Sequence, residues 1–112
     1  MARLSTHVLD TANGKPAAGM AVRLFAIQGA TREIVKSAVT NRDGRTDKPF
    51  LEGATIPTGV YEFEFDVAAH FRVEPPSFLG TVVVRFGIND ASGNYHVPLL
   101  VSPYGYTTYR GS

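Results

Sequence analysis

The chain has 112 residues, 44% of them hydrophobic, and a formal net charge of +1 from eleven Lys and Arg against ten Asp and Glu. That fits one domain over residues 1–112, whose modest core association with further copies would help to cover. The near-neutral charge, without a basic stripe or a block of like charge, excludes an electrostatic case for nucleic acid, and the absence of Cys excludes disulfides, zinc thiolates and thiol catalysis.

Met1 to His7 turns polar too early for a signal peptide, and no stretch approaches the ~20 apolar residues that span a bilayer, so a cytoplasmic protein without membrane contact is the expectation. Leu4 to Asp10 reads as a strand stopped by Asn13-Gly14-Lys15-Pro16. Met20 to Gln28 is a second strand with Val22, Leu24 and Ala26 on one face, and Glu33 to Thr40 a third. Asn41-Arg42-Asp43-Gly44 opens a polar loop that runs through Arg45 to Pro49, followed by a short strand around Phe50 and Leu51. Val60 to Asp66 alternates most clearly: Tyr61, Phe63 and Phe65 face one way, Glu62, Glu64 and Asp66 the other. Val67 to Arg72 suits a short helix ended by Pro75-Pro76. Thr81 to Ile88, Tyr95 to Ser102 and Tyr106 to Arg110 complete about eight strands, the pattern of an all-β sandwich of two antiparallel sheets.

His96 lies between Tyr95 and Val97, which the alternation sends to the core, so His96 and Pro98 point outward. Pro98 has no N–H for a ladder, which predicts an edge strand or a bulge. An outward His is most often a solvated side chain, and the same reading applies to His7 in the first strand. His70, beside Phe71, reads as a partly buried structural residue. Arg45 sits in a run that is usually a solvated turn, although loops also carry functional groups and a planar guanidinium suits a planar oxyanion or imide. The tail from Thr107 to Ser112 would ordinarily fray. It nevertheless holds an aromatic ring, a guanidinium, a hydroxyl and a terminal carboxylate. There is no Gly-rich phosphate loop, no metal-spaced His pair and no nucleophile elbow, and these features alone reach only an all-β domain.

Their combination is more specific. Leu4-Ser5-Thr6-His7-Val8-Leu9-Asp10 with Gly14-Lys15-Pro16-Ala17, then Thr40-Asn41-Arg42-Asp43-Gly44-Arg45, then Tyr95-His96-Val97-Pro98-Leu99-Leu100-Val101-Ser102-Pro103, and finally Tyr109-Arg110-Gly111-Ser112, resemble the transthyretin-like family from its first strand to its last residues. The closing tetrapeptide resembles the one that separates the family's hydrolases from its hormone carriers.

The resemblance implies a sandwich of two four-stranded antiparallel sheets with one short helix, assembled as a homotetramer (a dimer of dimers) with its site in a cleft between subunits. It implies hydrolysis of 5-hydroxyisourate to 2-oxo-4-hydroxy-4-carboxy-5-ureidoimidazoline in urate degradation, with no cofactor and no metal. His7, Arg45 and His96 fall where the family's catalytic trio lies, and Tyr109, Arg110 and Ser112 in the tail that lines the cleft. The competing readings are a non-catalytic carrier of a thyroid-hormone-like aromatic and an adhesive sandwich module. His7, His96 and the polar tail speak against a hormone channel, and a module would usually sit in a longer chain.

Overall fold

In the computed structural model, which describes residues 1–112, period-two alternation generates the interior. In β6 (Gly59–Asp66), Tyr61, Phe63 and Phe65 are buried, and the Phe63 ring packs on Phe50 and Phe86 at centroid distances of 4.9 and 5.4 Å. The opposite face carries Glu62, which is only 8% exposed because Arg32 and Arg85 cover it, each donating a hydrogen bond of 2.9 Å. Those bonds, the one from Arg32 foremost, hold the Glu62 carboxyl below its ordinary range against the opposing effect of burial.

The chain order is β1 (Ala2–Asp10), β2 (Lys15–Pro16), β3 (Ala21–Gln28), β4 (Thr31–Val39), β5 (Leu51–Gly53), β6, α1 (Val67–Phe71), β7 (Thr81–Ile88), β8 (Asn94–Ser102) and β9 (Gly105–Thr108). One sheet has the order β4-β3-β6-β7 and is antiparallel throughout. The other has the order β2-β1-β8-β9, with β5 as a fifth strand on β1. The two sheets enclose one cluster of 20 buried hydrophobic residues, including Leu4, Val8, Val22, Leu24, Leu99 and Val101. No helix is long and apolar enough to cross a membrane.

The sandwich with a single short helix agrees with the sequence reading, and three details refine it. The central pair β1·β8 is parallel, with Ser5 opposite His96 and His7 opposite Pro98. Lys15 and Pro16 do more than end a turn, since they fold back to pair with Asp10 and Leu9. The strand holding Pro98 is not an edge strand, because β9 covers its far side. The physical reason is local. The Gly111 N–H donates to the His96 carbonyl and the Thr108 hydroxyl to the Pro98 carbonyl, so that side of β8 faces the tail. The β8·β9 ladder ends at Leu99–Thr108, and Pro98 falls in the gap before the bridge between His96 and Gly111, where no N–H is required. Pro98 is also buried rather than exposed.

Outside the site, His70 on α1 has its Nε2 at 2.9 Å from Oδ2 of Asp10, whose side chain is 1% exposed. This is the structural role read from the sequence.

Candidate functional site

Strand phase creates the site. Even-numbered residues of β1 enter the core, so Arg3, Ser5 and His7 lie on the outer face. In β8, Tyr95, Val97 and Leu99 are buried and His96 is turned to that same face. The parallel register then sets Ser5 beside His96, with Ser5 Oγ at 2.8 Å from Nδ1. No group within the chain bonds His96 Nε2. Burial first, then the charges of Arg45, His7 and Arg3, push the His96 imidazolium below its ordinary pKa, so the ring is neutral near pH 7.

Arg45 reaches this face through the loop from Asn41 to Arg45. Its first residue organises it. Asn41 Oδ1 accepts from the backbone N–H groups of Asp43 and Arg45 at 2.9 and 3.2 Å, and Asn41 N–H donates to the Arg45 carbonyl at 2.7 Å. The loop docks on the edge of β1 left open between β5 and β2, where Val8 N–H donates to the Gly44 carbonyl at 2.8 Å. Gly44 has φ 76°, and a Cβ there would lie 2.3 Å from the Val8 carbonyl oxygen, so only glycine fits. This close approach brings the Asp43 carbonyl to 2.8 Å from His7 Nε2. A carbonyl only accepts, so Nε2 carries the hydrogen and Nδ1 of the neutral ring is left with a lone pair. The Arg45 guanidinium is exposed and makes no ion pair.

Arg3, Ser5, Arg45, Asn94, Tyr95, His96 and Ser112 line a groove of about 280 Å³. His7 stands two residues from Ser5 on the same face, near enough for its charge to act on His96. The groove thus offers two guanidinium groups, hydroxyls and neutral imidazole, a surface suited to an oxygen-rich, electron-dense molecule. No group of three or more His, Asp and Glu side chains is placed to hold a metal ion.

The six residues singled out from the sequence divide between two places. Arg45, His96 and Ser112 line this groove, and His7 lies on the same sheet face beside it. Tyr109 and Arg110 line a larger, mostly apolar cavity of about 620 Å³ between β7 and β8, together with Val84, Phe86 and Val97. That cavity has no His or carboxylate in its wall, so it lacks a group able to move a proton near neutral pH. Arg110 instead pins the tail, its guanidinium 4.2 Å above the Tyr95 ring and donating to the Asn94 carbonyl. Sequence reasoning missed Arg3, Ser5, Asn41 and the packing role of Gly111. Ser5 was within reach, since it shares the phase of His7. Arg3, Asn41 and Gly111 depend on contacts between distant segments.

Residues 4–111 match the HIUase/Transthyretin family. The chain is 51% identical to "5-hydroxyisourate hydrolase 2" of Rhizobium meliloti (strain 1021), over 98% of this chain and 96% of that protein. Among solved structures it is similar to the 5-hydroxyisourate hydrolase of Klebsiella pneumoniae, with TM-score 0.82, 36% identity and full coverage of both chains. It also resembles an (S)-allantoin synthase, with TM-score 0.91 and 40% identity, covering 99% of this chain but 44% of that longer one.

Proposed function

Because the chain belongs to the HIUase/Transthyretin family, we propose that the groove between β1, β8 and the Asn41–Arg45 loop is where it hydrolyses 5-hydroxyisourate. The chain is an enzyme, a hydrolase that yields 2-oxo-4-hydroxy-4-carboxy-5-ureidoimidazoline in urate degradation. The observation that carries the site assignment is the convergence of Arg45, His96 and Ser112 on one groove from three distant parts of the chain.

The reaction adds water to a ring carbonyl and breaks the adjoining C–N bond of the six-membered ring. His7, with Nδ1 free, takes the proton from the attacking water and, as imidazolium, returns it to the departing nitrogen. His96 presents Nε2–H, and with the Arg45 guanidinium it binds the carbonyl oxygen as negative charge develops there. Ser112 and Arg3 hold the remaining oxygens, and Tyr109 and Arg110 keep the tail in place. Positioned acid–base catalysis contributes roughly 10²–10⁴-fold, which suits a substrate that is already reactive.

A homotetramer in the cytoplasm belongs to the same proposal. In support, the histidines occupy an outer sheet face, so a neighbouring copy packed on that face would exclude water from the groove. Sedimentation velocity giving the mass of four chains supports this, and a monomer at micromolar concentration removes it. At this groove a carrier of hydrophobic aromatics is disfavoured, because Tyr95 is the one hydrophobic residue lining it.

The test is a stopped-flow ultraviolet assay in which urate oxidase generates fresh 5-hydroxyisourate. Saturable acceleration of its decay, lost in His96→Ala and His7→Ala, is the expected result. Wild-type rates in both variants would move the chemistry away from this groove.

A further inference from the structure

The mechanism above takes His96 as an Nε2–H donor, and the group that bonds the other ring nitrogen is the Ser5 hydroxyl. The parallel register holds these residues side by side, and the O···N distance is 2.8 Å. Two arrangements are possible. Either the hydroxyl donates to Nδ1 and the ring proton resides on Nε2, or Nδ1–H donates to the hydroxyl and Nε2 carries a lone pair.

The surroundings choose between them. Ser5 Oγ has no other hydrogen-bond partner in the chain. The two guanidinium groups that line the groove with it, those of Arg3 and Arg45, are donors without acceptor capacity. In the second arrangement the hydroxyl proton would lie beside these cations without a bonded acceptor in the chain, since Ser5 Oγ makes no second hydrogen bond. In the first, both the hydroxyl and Nδ1 are satisfied, and Nε2–H is turned to whatever enters the groove.

The ring plane is fixed independently. Gly111 lies against the other edge of the ring, so closely that a Cβ there would sit 2.6 Å from Cδ2. Ser5 bonds the ring on one side and Gly111 packs close on the other, so the imidazole is held between them.

The geometry points to Ser5 as a positioning residue for hydrolysis: its hydroxyl locks His96 in the Nε2–H tautomer, making His96 the donor to the reacting carbonyl while His7 remains the base. The inference rests on the proposed site. It also extends it, because a β1 hydroxyl is assigned the division of labour between two chemically identical side chains. The Asp43 carbonyl holds His7 in the same Nε2–H tautomer but engages the opposite nitrogen, so His7 is left with a free lone pair on Nδ1 where His96 is left with a free N–H on Nε2.

The experiment compares Ser5→Ala, Ser5→Thr and His96→Ala with the wild-type chain in its native assembly. Ser5→Ala is expected to lower kcat about 10- to 100-fold, part of the roughly 10²–10⁴-fold available to positioned proton transfer, with little change in KM. Ser5→Thr, which keeps the hydroxyl, should restore most of kcat. ¹⁵N NMR of labelled His96 gives a readout that does not depend on turnover. The neutral wild-type ring should show a protonated Nε2 and a pyridine-like Nδ1, and Ser5→Ala a mixture of tautomers. A protonated Nδ1 in the wild type overturns the inference, as does a Ser5→Ala variant with unchanged kcat beside an inactive His96→Ala. Full activity in His96→Ala would remove the proposed site itself, and the role of Ser5 with it.

Discussion

The backbone N–H of Gly111 donates to the carbonyl of His96 at 2.8 Å, while its α-carbon lies so close to the His96 ring that a methyl group there would come within 2.6 Å of Cδ2. The tail is therefore built onto the residue it neighbours in the groove. Gly111→Ala should displace either the ring or the tail. A misplacement of about 1 Å near the chemistry can cost on the order of 10²-fold in rate. We expect a loss of that order in kcat/KM with little change in thermal unfolding, since residue 111 lies outside the core. Wild-type kinetics in Gly111→Ala would show that the tail relaxes without consequence.

Arg45 owes its place to Asn41 and Gly44, and its guanidinium is free of carboxylates. A planar fork holds two oxygens at once, which an ammonium cannot do. Arg45→Lys should keep the fold and the charge yet lose most of the activity, and Arg45→Ala should lose about 2.7–4 kcal/mol of transition-state stabilisation, as removal of an oxyanion donor does. Steady-state kinetics on both variants check this. Full activity in Arg45→Lys would reduce Arg45 to a source of charge.

His96 should titrate below the ordinary histidine value of 6.5, because burial and the cationic neighbours Arg45, His7 and Arg3 all oppose its protonation. The unfolded chain, with an ordinary histidine, takes up this proton first as pH falls. The ring's contribution to stability is thus fully present above about pH 6.5 and declines as pH falls towards the lowered folded value. Following the ring proton signal of His96 against pH should place its midpoint under 6.5. Arg45→Ala, which removes one opposing charge, should move it upward. A midpoint unchanged by that substitution would exclude Arg45 as a neighbour that matters electrostatically.

Asp10 and His70 tie β1 to α1 in the interior. Burial pushes the Asp10 carboxyl up, but hydrogen bonds from Asn13 and His70 outweigh it and hold the group below its ordinary value. The stabilisation is present above the unfolded carboxylate range and is lost as pH falls through the lowered folded value. His70→Ala leaves that carboxylate to Asn13 alone. Breaking a buried pair costs about 3–5 kcal/mol, and the remaining Asn13 bonds favour the lower figure. Denaturant unfolding should show the loss, and the acid transition should move to higher pH. Because His70 lies outside the groove, kcat of the folded variant should stay close to wild type.

The sequence by itself determined the strands. Alternation in Val60–Asp66, the turn residues at Asn13-Gly14, and the outward phase of His96 are local properties, set by a side-chain period of two and by which residues accept a turn. The spread of motifs from Leu4 to Ser112 also pointed to the family and its reaction. Only the tertiary structure decided how those strands meet. The parallel pairing of β1 with β8 that sets Ser5 against His96, the covering of Pro98 by the tail, the docking of Gly44 on Val8 that delivers Arg45, and the separation of Arg110 from Ser112 into different cavities all join residues far apart in the chain. Such contacts follow from the register and packing of whole sheets, which local periodicity leaves open because each strand would alternate equally well beside other neighbours.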